Sequence, residues 1–364
     1  MTSTESSTSH LVTRALRGER TPRTPVWLMR QAGRFDPAYR TYRESCGLEL
    51  EELFADGRRA AEITMLPMRY GVDALVLFQD ILTPLGPMGA PFRFRPGPTL
   101  DAPIDTAAAA DRLVVYEPEK ELPFVFESID RVLDALEDRM PLLGFAGAPL
   151  TLLAFLVNGG SPGNDARRLK VFLDRHAEAA GGLLERLARV TVAYLRAQIA
   201  AGVHAVQLFE SGAGLLDGEG YRRWALPYQR AVFDGLSDLD IPTILFARET
   251  PAALMAESGS TVLSLGSRIS IRSARSFFPE LGLQGNVDNG LMRTGTPEQV
   301  AEATRTCIRE GGHTGHVLNL GHGLHRDTPV ENVESLIRCA LEYTCHDSTS
   351  SPSNGMDAQR SQSS

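Results

Sequence analysis

Residues 172–211 read FLDRHAEAAGGLLERLARVTVAYLRAQIAAGVHAVQLFES. Up to Gly202 apolar side chains recur every three to four positions, the spacing of a helix with one buried face, and the glycine stops the pattern. HAVQLF (204–209) follows, an apolar run of strand length, and it ends in the polar pair Glu210 and Ser211. The stretch predicts a helix over 172–202 and a buried strand after it, one unit of a parallel α/β chain. Seven further runs share the form: PVWLM (25–29), ALVLF (74–78), LLGFA (142–146), PTILFA (242–247), TVLSL (261–265), LGLQG (281–285) and HVLNL (316–320). The helical pattern between the last two opens on Thr296 as N-cap, with Pro297 first in the helix and Gln299 three residues on, and it stops at Gly311. Eight strands alternating with helices predict an α/β chain folded as a single (β/α)8 TIM barrel, with disordered N- and C-terminal tails. No GxGxxG follows any run, which weighs against a doubly wound dinucleotide-binding sheet. The expected division is a flexible arm over 1–20, a barrel domain over 21–345 and a disordered tail over 346–364, both ends being rich in Ser and Thr and poor in buriable residues.

Composition narrows the function. The chain has 364 residues, 43% apolar and 23% charged, and offers ample material for a core. No apolar run approaches membrane-spanning length and no secretory leader opens the chain, so the expected location is the cytoplasm. A net charge of −8 argues against nucleic acid or an anionic membrane as partner, and any anionic ligand must be met by local positive charge. Cys46, Cys307, Cys339 and Cys345 form no CxxC pair and stand at no metal-ligand spacing, so neither a disulfide framework nor a metal site is expected. Of 37 basic residues only Lys120 and Lys170 are lysine, and neither ends a strand-like run. Schiff-base chemistry thus lacks a nucleophile, and carboxylates, arginines, histidines and hydroxyls are left to act.

Strand ends are where a barrel keeps its chemistry. Arg30, Gln31 and Arg34 follow the first run, Gln79 and Asp80 the second, Gly144 to Pro149 the third, and Glu210 and Ser211 the fourth. Arg248 and Glu249 follow the fifth, Gly266 and Ser267 the sixth, Asn286 and Asp288 the seventh, and Gly321, His322 and His325 the eighth. Arg30 and Arg34, separated by Gln31, Ala32 and Gly33, lie within reach of one ligand, and two guanidiniums match carboxylate or phosphate by paired hydrogen bonds. The same residues also suit salt bridges to neighbouring acids. Asp80, in LVLFQDIL, is a carboxylate among apolar neighbours and must be met by donors, whether from a helix N-terminus, a barrel arginine or a ligand. His322 lies between Gly321 and Gly323, where nothing bulky covers it, and fits a structural or a ligand-facing role. Ser211 belongs to no nucleophile elbow and reads as a hydrogen-bond donor or a cap.

Taken together, PVWLMRQAGR, DALVLFQDILTPLG, GFAGAPLTL, VQLFESGAG with ALPY, LQGNVD and NLGHGL, in this order over residues 20–345, resemble the uroporphyrinogen decarboxylase family. The resemblance implies a (β/α)8 barrel, usually a homodimer, that removes carbon dioxide from the four acetate side chains of uroporphyrinogen III to give coproporphyrinogen III, without metal or organic cofactor. It implies Asp80 and Arg30 as catalytic residues, Arg30 and Arg34 as grips on substrate carboxylates, and Gln31, Ala32 and Gly33 as the rest of that loop. Asp80 would accept hydrogen bonds from the pyrrole N–H groups, and Ser211 and His322 would meet propionate or acetate.

The chain departs from the family pattern at several places. Phe155 stands where the family has Tyr, Gln79 where it has Ser, Phe35 and Asp36 replace Tyr-Leu, Gly266 and Ser267 replace Asp-Trp, and Asn289 ends the LQGN block. The departures spare both arginines, Asp80 and His322, so the activity is expected to persist with an altered rate or substrate preference. Two other readings compete: a tetrapyrrole binder without catalysis, and a corrinoid-linked methyltransferase on the same barrel, which would call for His and Cys zinc ligands.

Overall fold

The computed structural model describes residues 10–94 and 97–343. Its strands are β1 (Leu75–Val76), β2 (Phe92–Phe94), β3 (Pro98–Leu100), β4 (Leu142–Gly147), β5 (Ala205–Glu210), β6 (Thr243–Ala247), β7 (Val262–Ser264), β8 (Gly282–Gln284) and β9 (His316–Val317). All but β2 and β3 form one parallel seven-stranded sheet in the order β1-β4-β5-β6-β7-β8-β9. Each successive strand lies beside the last, as βαβ crossovers require. Seven of the eight expected runs are thus strands.

The eighth run, residues 25–29, is joined to its neighbours by single bonds rather than a ladder. Val26 makes a parallel bridge to Leu318, Leu318 N–H donates to Pro25 O at 2.8 Å, and Trp27 N–H donates to Leu318 O at 3.3 Å. On its other side Asp73 N–H donates to Val26 O at 2.7 Å, just ahead of β1. The Asp73 carboxylate adds a bond to Val26 N–H at 2.8 Å and a two-pronged pair with Arg23.

Helices cover the outer face of the sheet. The expected helix over 172–202 is two, Arg167–Arg175 and Ala177–Ala200, separated at His176, whose φ of −127° leaves the helical region. Pro297–Gly311 forms as read, with the Thr296 and Gln299 side chains each capping the other's backbone N–H. Two features correct the expected layout. Residues 11–16 of the supposed flexible arm are a helix with Val12, Ala15 and Leu16 in the core, because its apolar side chains seal the end of the sheet beside β8 and β9. The hairpin β2–β3 is an insertion not anticipated; its Phe92 and Phe94 pack on Phe155 and Phe54. The tail from 346 onward lies outside the described residues. Among the described residues, no helix is long and apolar enough to cross a membrane.

Inside the sheet the side chains are partly polar. Trp27 donates to Gln284 Oε1 at 3.0 Å, and Gln284 Nε2 donates to Gln207 Oε1 and Ser264 Oγ at 2.9 Å each. All four are fully buried, and the network satisfies groups that would each cost roughly 1–3 kcal/mol if left alone. Beside it on the same inner face, Phe145, Phe209 and Phe246 of β4, β5 and β6 meet at centroid distances of 5.6 and 6.0 Å, which makes an apolar floor.

Candidate active site

At the end of residues 25–29 the chain turns sharply. Arg30 has φ +64°, a conformation that costs a non-glycine residue about 1 kcal/mol, and the turn is held on both sides. Met29 N–H donates to Asn319 Oδ1 at 3.0 Å, Leu324 N–H donates to Met29 O at 2.9 Å, and Asn319 Oδ1 also takes Leu320 N–H. The arginine loop is therefore fastened to the loop that carries His322. The stem of Arg30 lies directly on Gly323: a Cβ there would stand 2.5 Å from Arg30 Cδ, so the NLGHGL glycine makes room for the arginine.

Arg30 is shielded from solvent by protein on most sides but leaves its side chain open to the mouth. Burial lowers its pKa, Asp80 opposes that shift and Arg34 adds to it. Asp80 is half-exposed at the mouth, yet surrounded closely enough that burial raises its pKa, against the Leu82 N–H at 2.9 Å and the charge of Arg30. Among the described residues, Arg30 and Arg34 form no ion pair, and the Asp80 carboxylate accepts only that one hydrogen bond. Elsewhere arginines do find acids, as in Arg23 with Asp73 and Arg196 with Asp238. Of the two readings left open for the arginine pair, salt bridges to the described residues are thus not what the loop makes.

His322 sits across the mouth, its ring 5.8 Å from Phe246 and edge-on to it. Burial first, then Arg30 and Arg248, push its pKa down to about 4, so it is a neutral imidazole at physiological pH. Ser211 is half-buried just past β5, and its hydroxyl has no bond to another described residue. Phe155 is half-buried on helix Pro149–Asn158 and stands against Phe92 at 6.3 Å.

Not every strand-end residue faces the mouth. Gln31 is buried with both ends of its amide committed, taking Leu28 N–H and giving to Ala74 O at 2.9 Å each, so its side chain braces the loop. Gln79 donates to Phe54 O, Asn286 to Gly266 O and Ile269 O, and Asp288 caps helix Asn289–Thr294. Asp36, a departure from the family pattern, caps helix Pro37–Cys46 and pairs with Arg69. His325 turns to Asp327. The apolar floor of Phe209 and Phe246 was missed; its signal is an aromatic one or two residues before a polar strand end.

A third cluster, at the opposite end of the strands, also escaped the sequence reading. Side-chain atoms of His10, Asp138 and His204 that could ligate a metal lie within 4.8 Å of one another. The hydrogen bonds argue against a metal there: His204 Nδ1 accepts Leu142 N–H and His10 Nε2 meets Asp138 O at 2.7 Å, so both rings present N–H toward Asp138.

Comparison with known proteins converges on one family. The family model described as Uroporphyrinogen decarboxylase (URO-D) matches residues 7–343. Proteins named uroporphyrinogen decarboxylase from Carboxydothermus hydrogenoformans and Sorangium cellulosum are 39% and 40% identical, over 91% and 89% of this chain and 95% and 93% of theirs. Among solved structures, a methyltransferase from Methanosarcina mazei aligns with a TM-score of 0.74 at 18% identity, covering 91% of this chain and 97% of that one, a likeness of fold.

Proposed function

The chain belongs to the uroporphyrinogen decarboxylase family, and from that premise and the mouth's geometry we propose that it removes carbon dioxide from the four acetate side chains of uroporphyrinogen III. The observation that carries the reading is the pair Arg30 and Arg34, unpaired above an Asp80 whose carboxylate has one donor and room for more. A substrate with eight carboxylates supplies what the arginines lack, and its central pyrrole N–H groups supply what Asp80 lacks.

In this reading the fold is a full (β/α)8 barrel in which residues 25–29 are the remaining stave, and the protein acts as a cytoplasmic homodimer. The macrocycle lies over Phe209 and Phe246, with Asp80 beneath its centre. Arg30, Arg34, Ser211 and His322 hold acetate and propionate groups, Ala32 and Gly33 shape the arginine loop, and Phe155 packs on the ring edge. Gln31 contributes through the loop it braces.

The chemistry needs no cofactor because the pyrrole is its own electron sink. Protonation of the α ring carbon next to the one that bears the acetate makes the ring cationic, with positive charge shared by the acetate-bearing carbon. The bond from the CH2 to the carboxylate then breaks, its electron pair flows into the ring, carbon dioxide leaves, and an exocyclic methylene remains. A proton adds to that methylene to give methyl, and the ring carbon loses its proton, so each cycle consumes one proton. Asp80 stabilises the cation in a site floored by aromatics, where an opposite charge counts for far more than in water. Arg30 is the second catalytic residue: lowered in pKa by burial, it is a better acid than an ordinary guanidinium and stands where the acetate is held.

Incubation with freshly reduced uroporphyrinogen III under anaerobic conditions tests this. Sequential hepta-, hexa-, penta- and tetracarboxylate products are expected. Tight binding without any product would leave a tetrapyrrole carrier in place of an enzyme.

A further inference from the structure

Glu210 ends β5, directly before Ser211, and is completely buried. Phe209 beside it faces the interior of the sheet, and Glu210 points the other way, between sheet and helices. Among the described residues no cation meets it there. One carboxyl oxygen takes the hydroxyl of Thr151, and the other takes Gln229 Nε2 at 3.2 Å. Arg248, whose backbone N–H bonds to the Glu210 carbonyl, sends its guanidinium to Asn164 instead.

Both donors are committed further. Thr151 Oγ1 accepts Gly212 N–H at 2.9 Å, and Gln229 Oε1 accepts the Tyr221 hydroxyl at 2.7 Å. The Tyr221 bond fixes the direction of one inner bond: Gln229 must present its NH2 to Glu210. The Thr151 hydroxyl donates to the other oxygen and the Thr151 backbone N–H also faces the carboxyl, so the network as bonded favours the anion. Through it, one carboxylate ties together helix Pro149–Asn158, the loop opening with Ser211 and Gly212, and helices Gly218–Trp224 and Leu226–Asp234. Ser211 adjoins Glu210, and Phe155 lies one turn after Thr151 on the same helix face.

We infer that Glu210, as the carboxylate, is the positioning residue that holds Ser211 and Phe155 against the tetrapyrrole, and that its protonation loosens the site on the acid side. The inference rests on the decarboxylase reading and concerns the control of that same site. Burial pushes this carboxyl up to about 7, against the Thr151 hydroxyl, the Gln229 amide and the Thr151 backbone N–H, which favour the anion. The working form is therefore present above about pH 7 and is lost as pH falls through it. The groups that face Glu210 are Thr151, Gln229 and, through Gln229, Tyr221. Only Tyr221 of these titrates, and burial and then Glu210 push its phenol up, so it stays neutral. His322, pushed down to about 4, titrates below this window.

The test is kcat/KM for uroporphyrinogen between pH 5.5 and 8.5 in the full-length protein, in Glu210→Gln and in Thr151→Val. Wild type should show an acid limb near pH 7. Glu210→Gln, shaped like the protonated carboxyl, should lose the limb and run about tenfold low throughout, with the loss in KM rather than kcat. Thr151→Val keeps the shape and removes one donor to the anion, so its limb should move to higher pH; this reads out even if Glu210→Gln does not accumulate folded. A wild-type limb preserved in either folded variant overturns the inference while the decarboxylase reading stands. Wild-type protein inactive at every pH overturns both.

Discussion

At the scale of single residues, Arg30 and Asp80 explain one another and their ligand. Each is pushed toward neutrality by burial, each partly restrains the other, and neither is fully satisfied by the protein. Asp80→Asn keeps the size and loses the charge, so it should lower kcat by at least about 100-fold while the dissociation constant for product changes little, since only the developing cation feels the difference. Equal losses in both would remove Asp80 from the chemistry. Gly323→Ala is a second probe: the new methyl would lift the stem of Arg30 off its seat without touching the core. A drop in kcat/KM of about tenfold or more with a melting temperature unchanged within a few degrees is expected. The sequence made Arg30, Arg34, Asp80 and His322 legible because isolated polar residues after apolar runs stand out. It could not separate Gln31 from them, since an amide facing the ligand and an amide bracing a loop occupy the same strand-end position. Nor could it weigh Glu210, whose importance lies in partners 59 and 19 residues away.

At the scale of elements, the apolar runs that form the sheet were readable because strands buried on both faces need unbroken hydrophobicity, and the capping box of Pro297–Gly311 was readable because its signals are local. The hairpin β2–β3 was not: FRF and PTL are three residues each, too short for a period to register. The break at His176 was hidden for the opposite reason, since apolar spacing carries across it and only the tertiary fit of two helices separates them. The C-terminal glycine of Pro297–Gly311 does more than stop a helix. A Cβ at Gly311 would stand 2.3 Å from Nδ1 of His316, a fully buried histidine whose Nε2 bonds Gly285 O at 2.9 Å. Gly311→Ala should therefore destabilise the fold by about 1–3 kcal/mol through overpacking, seen as a lower midpoint in urea with an unchanged slope. A neutral effect would mean that β9 can shift away from its covering helix.

At the scale of the whole molecule, an acidic chain must admit a ligand more acidic still. Two effects compete, and their ranges decide which dominates. Repulsion from the net charge of −8 is spread over the surface and acts through solvent, where the screening length falls from about 30 Å at 0.01 M salt to about 8 Å at 0.15 M. The attraction of Arg30 and Arg34 acts at contact inside a partly shielded mouth and yields later. Added salt should first raise kcat/KM, by about twofold up to roughly 0.1–0.2 M, and then lower it. A monotonic fall from the lowest salt would mean that steering by the arginines, not repulsion by the surface, governs approach.

The bond between Met29 and Asn319 has a further consequence. The two residues are 290 positions apart, and the bond fixes the backbone just before Arg30. A ribosome adding roughly 5–20 residues per second would release the first apolar run about 15–60 s before its partner exists. For that interval the nascent chain carries an unmatched hydrophobic segment and an arginine loop with nothing to set its shape. The grip on the ligand is thus shaped only late in synthesis, and a message cut short before residue 319 yields a product whose arginine loop lacks the bond that sets its backbone.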